Sequence, residues 1–233
     1  MTKTALITGA SSGIGEAIAS SLLQEQWEVY GVGRDFSSCE LPNNPLFHAC
    51  VFDLSLTEQI PSFLNSLSLS SLDLLINCAG CAWYGPHETI SVNSIQQMTR
   101  VNLEAPMVLC GCLIRSLRAS KGMVINISSV TALETSTHGA AYGALKAGLY
   151  HFGRTLFEEN RKHRVRVCTI LPDLTDTDLY RNAEFGPDCT PGAYLTAEQV
   201  AEAVSQVIHQ PEGTLISELT LQPQLHRISR KPK

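Results

Sequence analysis

Thr8-Gly9-Ala10-Ser11-Ser12-Gly13-Ile14-Gly15 joins an apolar run at residues 4–8 to a helical stretch at 13–26. A glycine-rich turn at such a junction decides the fold class. It is where an α/β sheet turns backbone N–H groups and a helix N-terminus toward a phosphate. Gly9 allows the tight turn. Gly13 removes a side chain where the backbone must approach a pyrophosphate, and Gly15 lets the helix pack closely on the sheet. Ser11 and Ser12 either contact phosphate or simply cap the helix. The spacing is G-x-x-x-G-x-G, not the G-x-G-x-x-G of many dinucleotide binders.

Outward from the loop, apolar runs alternate with helical stretches. Strands are predicted at 4–8, 28–33, 47–52, 72–76, 122–127, 164–171 and 215–221, several apolar on consecutive positions, as in strands covered on both faces. Helices are predicted at 13–26, 56–67, 91–117, 140–160 and 197–209. Thr196 and Gln199 form a capping box before the last of them. Pro106 should kink or divide the third helix, and Pro61 argues against an uninterrupted second one. The alternation predicts a single-domain, Rossmann-like α/β fold over 1–233. It is a doubly wound parallel sheet of about seven strands with helices on both faces. Residues 173–195, with Gly186, Pro187, Pro191 and Gly192, form the candidate substrate lid.

Composition narrows the function classes. Hydrophobic residues make up 44% and charged residues 17% of the 233, and the net charge is −5. No basic concentration points to nucleic acid or an anionic membrane. The basic cluster at 226–233 reads as a short solvated tail. No apolar stretch reaches the roughly 18 residues of a membrane span, and no export signal precedes the first strand. A cytoplasmic protein is expected, and its eight cysteines as reduced, mostly apolar thiols. Cys78-Ala79-Gly80-Cys81 has C-x-x-C spacing, but Cys110 and Cys112 do not supply the second pair that a zinc site needs.

Tyr142 and Lys146 stand four residues apart, about one helical turn, so phenol and ammonium share a helix face. A cation beside a phenol favours phenolate and should pull the tyrosine pKa below its usual ~10. Such a tyrosine can give or take a proton near neutral pH. With a phosphate loop in the same chain, this points to proton transfer beside a bound dinucleotide, the requirement of carbonyl/alcohol redox chemistry. After the second strand comes Gly33-Arg34, where a carboxylate would bind the ribose hydroxyls of NAD. Glycine leaves room for a 2′-phosphate and Arg34 can pair with it, which favours NADP; alternatively Arg34 is a solvated charge blunted by Asp35.

Together these motifs resemble the short-chain dehydrogenase/reductase family over nearly the whole chain. Thr8–Gly15 resembles its T-G-x-x-x-G-x-G loop, Asn77-Cys78-Ala79-Gly80 its N-x-A-G motif, and Tyr142-Gly143-Ala144-Leu145-Lys146 its Y-x-x-x-K. Asn102 and Ser129 match the remaining members of its catalytic set. The resemblance implies Tyr142 as acid/base, Lys146 tuning it and bonding the nicotinamide ribose, and Ser129 donating to the developing alkoxide. Asn102 is implied to hold a water that links Lys146 to solvent. Cofactor contacts are implied for Gly9, Ser11, Ser12, Gly13, Ile14, Gly15 and Arg34. Others fall on Asp53 and Leu54 near adenine, on Asn77, Ala79 and Gly80 beside the sheet, and on Pro172, Thr175 and Thr177 near nicotinamide.

The family's P-G-x-V-x-T reads here Pro172-Asp173-Leu174-Thr175-Asp176-Thr177. Asp173 replaces a flexible glycine at the substrate edge. The resemblance further implies a small carbonyl or alcohol substrate, with a 3-hydroxy acid or amino-acid alcohol suggested by residues 216–223, and a homodimer or homotetramer. Arg181 in the lid is the candidate cation for an acid substrate. The rivals are a non-catalytic dinucleotide-binding regulator, an isomerase or dehydratase on the same fold, and an NAD-preferring dehydrogenase.

Overall fold

Every residue of β1 (Thr4–Thr8) is buried. The same holds for β4 (Leu74–Asn77) and β5 (Met123–Ile127), as expected where helices cover both faces of a sheet. This is the centre of the computed structural model, which describes residues 2–67 and 69–230. With β2 (Glu28–Gly33), β3 (Phe47–Val51), β6 (Arg166–Pro172) and β8 (Glu218–Leu221), these strands form a seven-stranded parallel sheet. Its order is β3-β2-β1-β4-β5-β6-β8.

Successive residues of each strand feed opposite faces, as the pleat requires. Ile7, Ile76, Ile125 and Ile170 pack with Ile18 and Leu22 of α1 (Gly13–Gln24) and Val204 and Val207 of α6 (Ala197–Ile208). Their neighbours Leu6, Leu75, Val124 and Val167 face the other way. They meet Leu64 of α2 (Ile60–Ser66), Leu109 of α4 (Ala105–Ser120) and Leu156 of α5 (Ala140–Asn160). The predicted architecture is therefore the observed one. The chain winds outward from β1 to β3 and returns to lay β4 against the other side of β1, so the carboxyl ends of β1 and β4 flank a switch point, where such sheets bind ligands.

The capping box of α6 is complete. Thr196 Oγ1 accepts from Gln199 N at 3.3 Å, and Gln199 Oε1 accepts from Thr196 N at 2.9 Å. Thr196→Ala should lower thermal stability by about 1 kcal/mol, read by calorimetry, with no loss of cofactor affinity.

The two prolines act as expected on the second and third helices, and the C-terminal tail departs from expectation. The second helix is shorter: a 3-10 turn at Thr57–Gln59 leads into α2, where Pro61 occupies the first turn and so has no ladder bond to break. The third divides into α3 (Val92–Thr99), a π turn at Arg100–Glu104, and α4. Pro106 has no N–H for the Asn102 carbonyl four residues back, and the π turn absorbs that mismatch. The C-terminal tail is not merely solvated. β9 (Ile228–Arg230) pairs antiparallel with β7 (Phe185–Pro187) in the lid segment. The rest of the basic cluster, 231–233, lies outside the described residues.

Candidate active site

A cleft of about 480 Å³ opens at the carboxyl ends of β1, β4, β5 and β6. Gly9 lies at φ +71°, and a Cβ there would sit 2.9 Å from the Ala79 Cα. A Cβ on Gly15 would approach the Gly9 carbonyl oxygen to 2.2 Å, so the first turn of α1 can lie on the loop only without a side chain. Thr8 Oγ1 accepts from Cys78 N at 2.9 Å and Ala79 N at 3.0 Å, fastening the end of β4 to the loop. Asn77 Nδ2 donates to Asn126 Oδ1 at 2.8 Å and joins β4 to β5. Ser12 occupies the N-cap of α1, but its side chain makes no capping bond. The first-turn N–H groups thus have no side-chain acceptor from their cap, which suits an anion.

Tyr142 and Lys146 are 3% and 4% exposed on α5. The ammonium lies 5.6 Å from the Tyr142 ring centroid and donates to the Ile127 carbonyl at 2.9 Å. Ser128 Oγ donates to the Lys146 carbonyl at 2.9 Å, tying α5 to the end of β5. Ser129 follows and hydrogen-bonds the Tyr142 phenol. Ser129, Tyr142 and Lys146 therefore line one cleft with the glycine loop.

The electrostatics correct one expectation. Burial raises the Tyr142 phenol well above its ordinary range; Tyr180 adds to this and the Ser129 bond opposes it. Burial also pulls Lys146 down to about 8. Both groups are desolvated, so the cost of charging each exceeds the help that one gives the other. In the protein alone, Tyr142 is a protonated phenol.

Asn102 is fully buried behind the cleft. Its Nδ2 donates to the Cys81 and Met98 carbonyls at 2.8 and 2.9 Å, and its Oδ1 accepts from Cys81 N at 3.3 Å. The π turn swings this amide inward, where it fixes the segment after β4 beside Lys146. The side-chain amide has no capacity left for the expected water beyond one acceptor site on Oδ1.

Ser12, Gly13, Ile14, Ala79, Gly80, Pro172, Thr175 and Thr177 all line the cleft. Ser11, Arg34, Asp53, Leu54 and Asn77 do not; they lie along the ends of β1 to β4. Arg34 is exposed and forms no ion pair among the described residues. Asp35 turns instead to Ser37, accepting from its N at 2.9 Å and its Oγ at 3.0 Å. The room left by Gly33 is taken up by a neighbour: a Cβ there would lie 2.8 Å from Ser11 Oγ. Asp53 is exposed and accepts from Ser55 N at 2.9 Å.

The substrate side holds residues that no motif flags. Tyr84 joins Tyr142 to Tyr180 and Phe185, its ring centroid 5.6 Å from that of Tyr142, 6.0 Å from Tyr180 and 5.1 Å from Phe185. Asp176, Asp178 and Arg181 stand at the rim. Asp173, the departure from the glycine pattern, accepts from Leu174 N at 2.8 Å and lies 2.8 Å from His226 Nδ1 in the tail. That departure marks Asp173 in the sequence, which leaves its partner in the tail unmarked.

A family model described as short chain dehydrogenase matches residues 3–186. The chain belongs to the short-chain dehydrogenase/reductase family. It is an NAD(P)-dependent oxidoreductase of that family. It is 33% identical over 235 residues to a serine 3-dehydrogenase of Rhizobium radiobacter, covering 96% of this chain and 94% of that protein. An alcohol dehydrogenase from the archaeon Thermococcus sibiricus, solved with 5-hydroxy-NADP, superposes with a TM-score of 0.88 at 25% identity, covering 97% of this chain and 99% of that one. The closed form of a serine dehydrogenase with NADP+ gives 0.83 at 26% identity, covering 94% of each chain. Among the described residues of this dehydrogenase/reductase, no helix is long and apolar enough to cross a membrane. Among the same described residues, no group of three or more His, Cys, Asp or Glu is arranged to hold a metal ion.

Proposed function

We propose that this enzyme interconverts a carbonyl and a primary or secondary alcohol with NADP, using Tyr142 as the acid/base. The observation that carries the reading is the convergence of Ser129, Tyr142 and Lys146 on the same cleft as the uncapped N-terminus of α1. The residues present fit a dinucleotide. The glycine loop keeps side chains out of a phosphate cradle, and Gly80, beside Lys146, leaves the cleft floor bare.

Bound nicotinamide supplies or accepts the hydride. Gly9, Ser12, Gly13, Ile14 and Gly15 would hold the pyrophosphate, and Ser11 and Arg34 the 2′-phosphate. Asp53 and Leu54 would border the adenine and Ala79 and Gly80 the inner ribose, while Asn77, buried beneath them, ties β4 to β5. Pro172, Thr175 and Thr177 seat the carboxamide. Tyr142 delivers its proton to the carbonyl oxygen, or takes one from the alcohol in reverse. Ser129 donates to the same oxygen, as in an oxyanion hole. Lys146 stabilises the phenolate left behind and bonds the ribose hydroxyls, while Asn102 braces the floor beside it. Residues 173–195 act as the lid.

NADP is preferred over NAD because Arg34 forms no ion pair among the described residues and Asp35 is turned away to Ser37. The NADP-type ligands in the Thermococcus and serine dehydrogenase structures support this. The likeness to serine 3-dehydrogenase supports a small hydroxy acid or the matching aldehyde or ketone as substrate, with Arg181 as its cation. Open space at Gly111 and the exposed Met107 on α4 support self-association as a homodimer or homotetramer.

The test is a panel of aldehydes, ketones and hydroxy acids with each nicotinamide, read at the reduced-cofactor absorbance band. Arg34→Ala should raise KM for NADP about tenfold or more, the loss of a charge-assisted pair, and leave KM for NAD nearly unchanged. A wild-type preference for NADH would overturn the Arg34 assignment. Cofactor binding with no turnover of any compound would favour a regulator.

A further inference from the structure

Ser129 Oγ accepts two hydrogen bonds from one residue, from Thr131 N at 3.2 Å and from Thr131 Oγ1 at 3.0 Å. A serine hydroxyl has two acceptor lone pairs and a single proton to donate. Both lone pairs are taken, so Ser129 can offer only its proton to the cleft. We propose that Thr131 is a positioning residue that fixes Ser129 as a donor toward the reacting oxygen. This rests on the role proposed for Ser129 above.

The polarity of that bond matters for the proton inventory. With Thr131 donating into Ser129 and Ser129 donating onward, both Tyr142 and Ser129 keep their protons for the carbonyl oxygen. A Ser129 with a free lone pair could accept from the Tyr142 hydroxyl, engaging the proton that the reaction needs. Donation into Ser129 also polarises its O–H, which strengthens the next bond in the chain. Ser129 is 8% exposed, so little solvent competes for its lone pairs.

The surrounding turn is built to hold this geometry. Ser129 caps the 3-10 turn Val130–Ala132, closed by Ala132 N donating to the Ser129 carbonyl at 3.0 Å. The Thr131 carbonyl abuts Gly143, 3.0 Å from where a Cβ would stand on the residue next to Tyr142. The turn is thereby braced on the helix that carries the phenol and the ammonium.

Thr131→Val keeps the backbone N–H and the side-chain shape and removes only the hydroxyl. Carbonyl reduction should lose about tenfold in kcat, a fraction of the roughly hundredfold or more for losing an oxyanion donor outright. KM for the carbonyl and Kd for NADP should stay within about twofold of wild type. Thr131→Ser should restore the rate. The Ser129 bond lowers the Tyr142 phenol, so weakening it should move the acid limb of alcohol oxidation to higher pH. In a Ser129→Ala background, Thr131→Val should have no further effect. If Thr131→Val does not fold, Thr131→Ala, which adds no volume, carries the same test. Wild-type kcat with an unmoved pH limb overturns the proposal, as does a loss that Thr131→Ser fails to rescue. A crippled Ser129→Ala beside a silent Thr131→Val defeats this inference alone. Full activity in Ser129→Ala defeats the role of Ser129 itself, and this inference with it.

Discussion

Tyr142→Phe should cut turnover by roughly a hundred- to ten-thousandfold, the range of a lost general acid, while cofactor still binds. The substitution removes one oxygen and keeps the ring. Tyr142 is 3% exposed and its ring lies 5.6 Å from that of Tyr84, so the apolar packing around it persists in the variant. Fluorescence titration should give a Kd for NADP within about twofold of wild type, since the loop and helix N-terminus are untouched. Burial keeps the phenol protonated in the protein alone, which suits the reductive direction, where Tyr142 must start as the acid. Wild-type carbonyl reduction by Tyr142→Phe would remove the residue from the mechanism.

Lys146→Met should abolish turnover and, in the same protein, raise stability. Lys146 is 4% exposed, and burial pulls its pKa from lysine's ordinary ~10.4 down to about 8. Below pH 8 both folded and unfolded chains carry the ammonium, and the folded one bears the full cost of burying it, on the order of 3 kcal/mol. As pH rises from about 8 toward ~10, the folded chain releases its proton first. The unfolded state then binds more protons, so wild-type stability gains through that window. Methionine removes the charge and with it this rise. It also leaves the Ile127 carbonyl without its donor, which costs about 1 kcal/mol. The net gain at pH 7 should be about 2 kcal/mol, or roughly 4–8 °C in Tm for a chain of this length. Denaturant titrations of the cofactor-free protein at pH 7 and pH 10 check both magnitude and slope. A destabilised Lys146→Met at pH 7 would contradict the burial argument.

The two variants also separate what was legible in the sequence from what was not. The partnership of Tyr142 and Lys146 follows from helical period alone, and the loop from glycines at a strand-to-helix junction. Strands β1 and β2 run over the same residues as predicted, because their apolar runs end at Gly9 and Arg34. The direction of the Tyr142 shift was not legible, because it depends on burial of the phenol by distant segments, Tyr84 and Tyr180 among them. Asn102 could be named from its motif, but its inward turn depends on the π segment before Pro106, and five residues of altered ladder leave no periodic trace. The ribbon of β7 and β9 escaped for a similar reason. Three-residue strands are too short to display a period, and each finds its partner about forty positions away.

That ribbon ties the segment proposed as the lid to the C-terminal tail. Gly192 and Ala193 receive hydrogen bonds from Leu225 and Arg227, Arg227 receives one from Asp188, and His226 reaches Asp173 at the rim. Residues 188–193 are thus tied to a stretch of chain that lines no part of the cleft. Amides on both sides of the seam should loosen together, so substitutions near position 226 register as changes in substrate access.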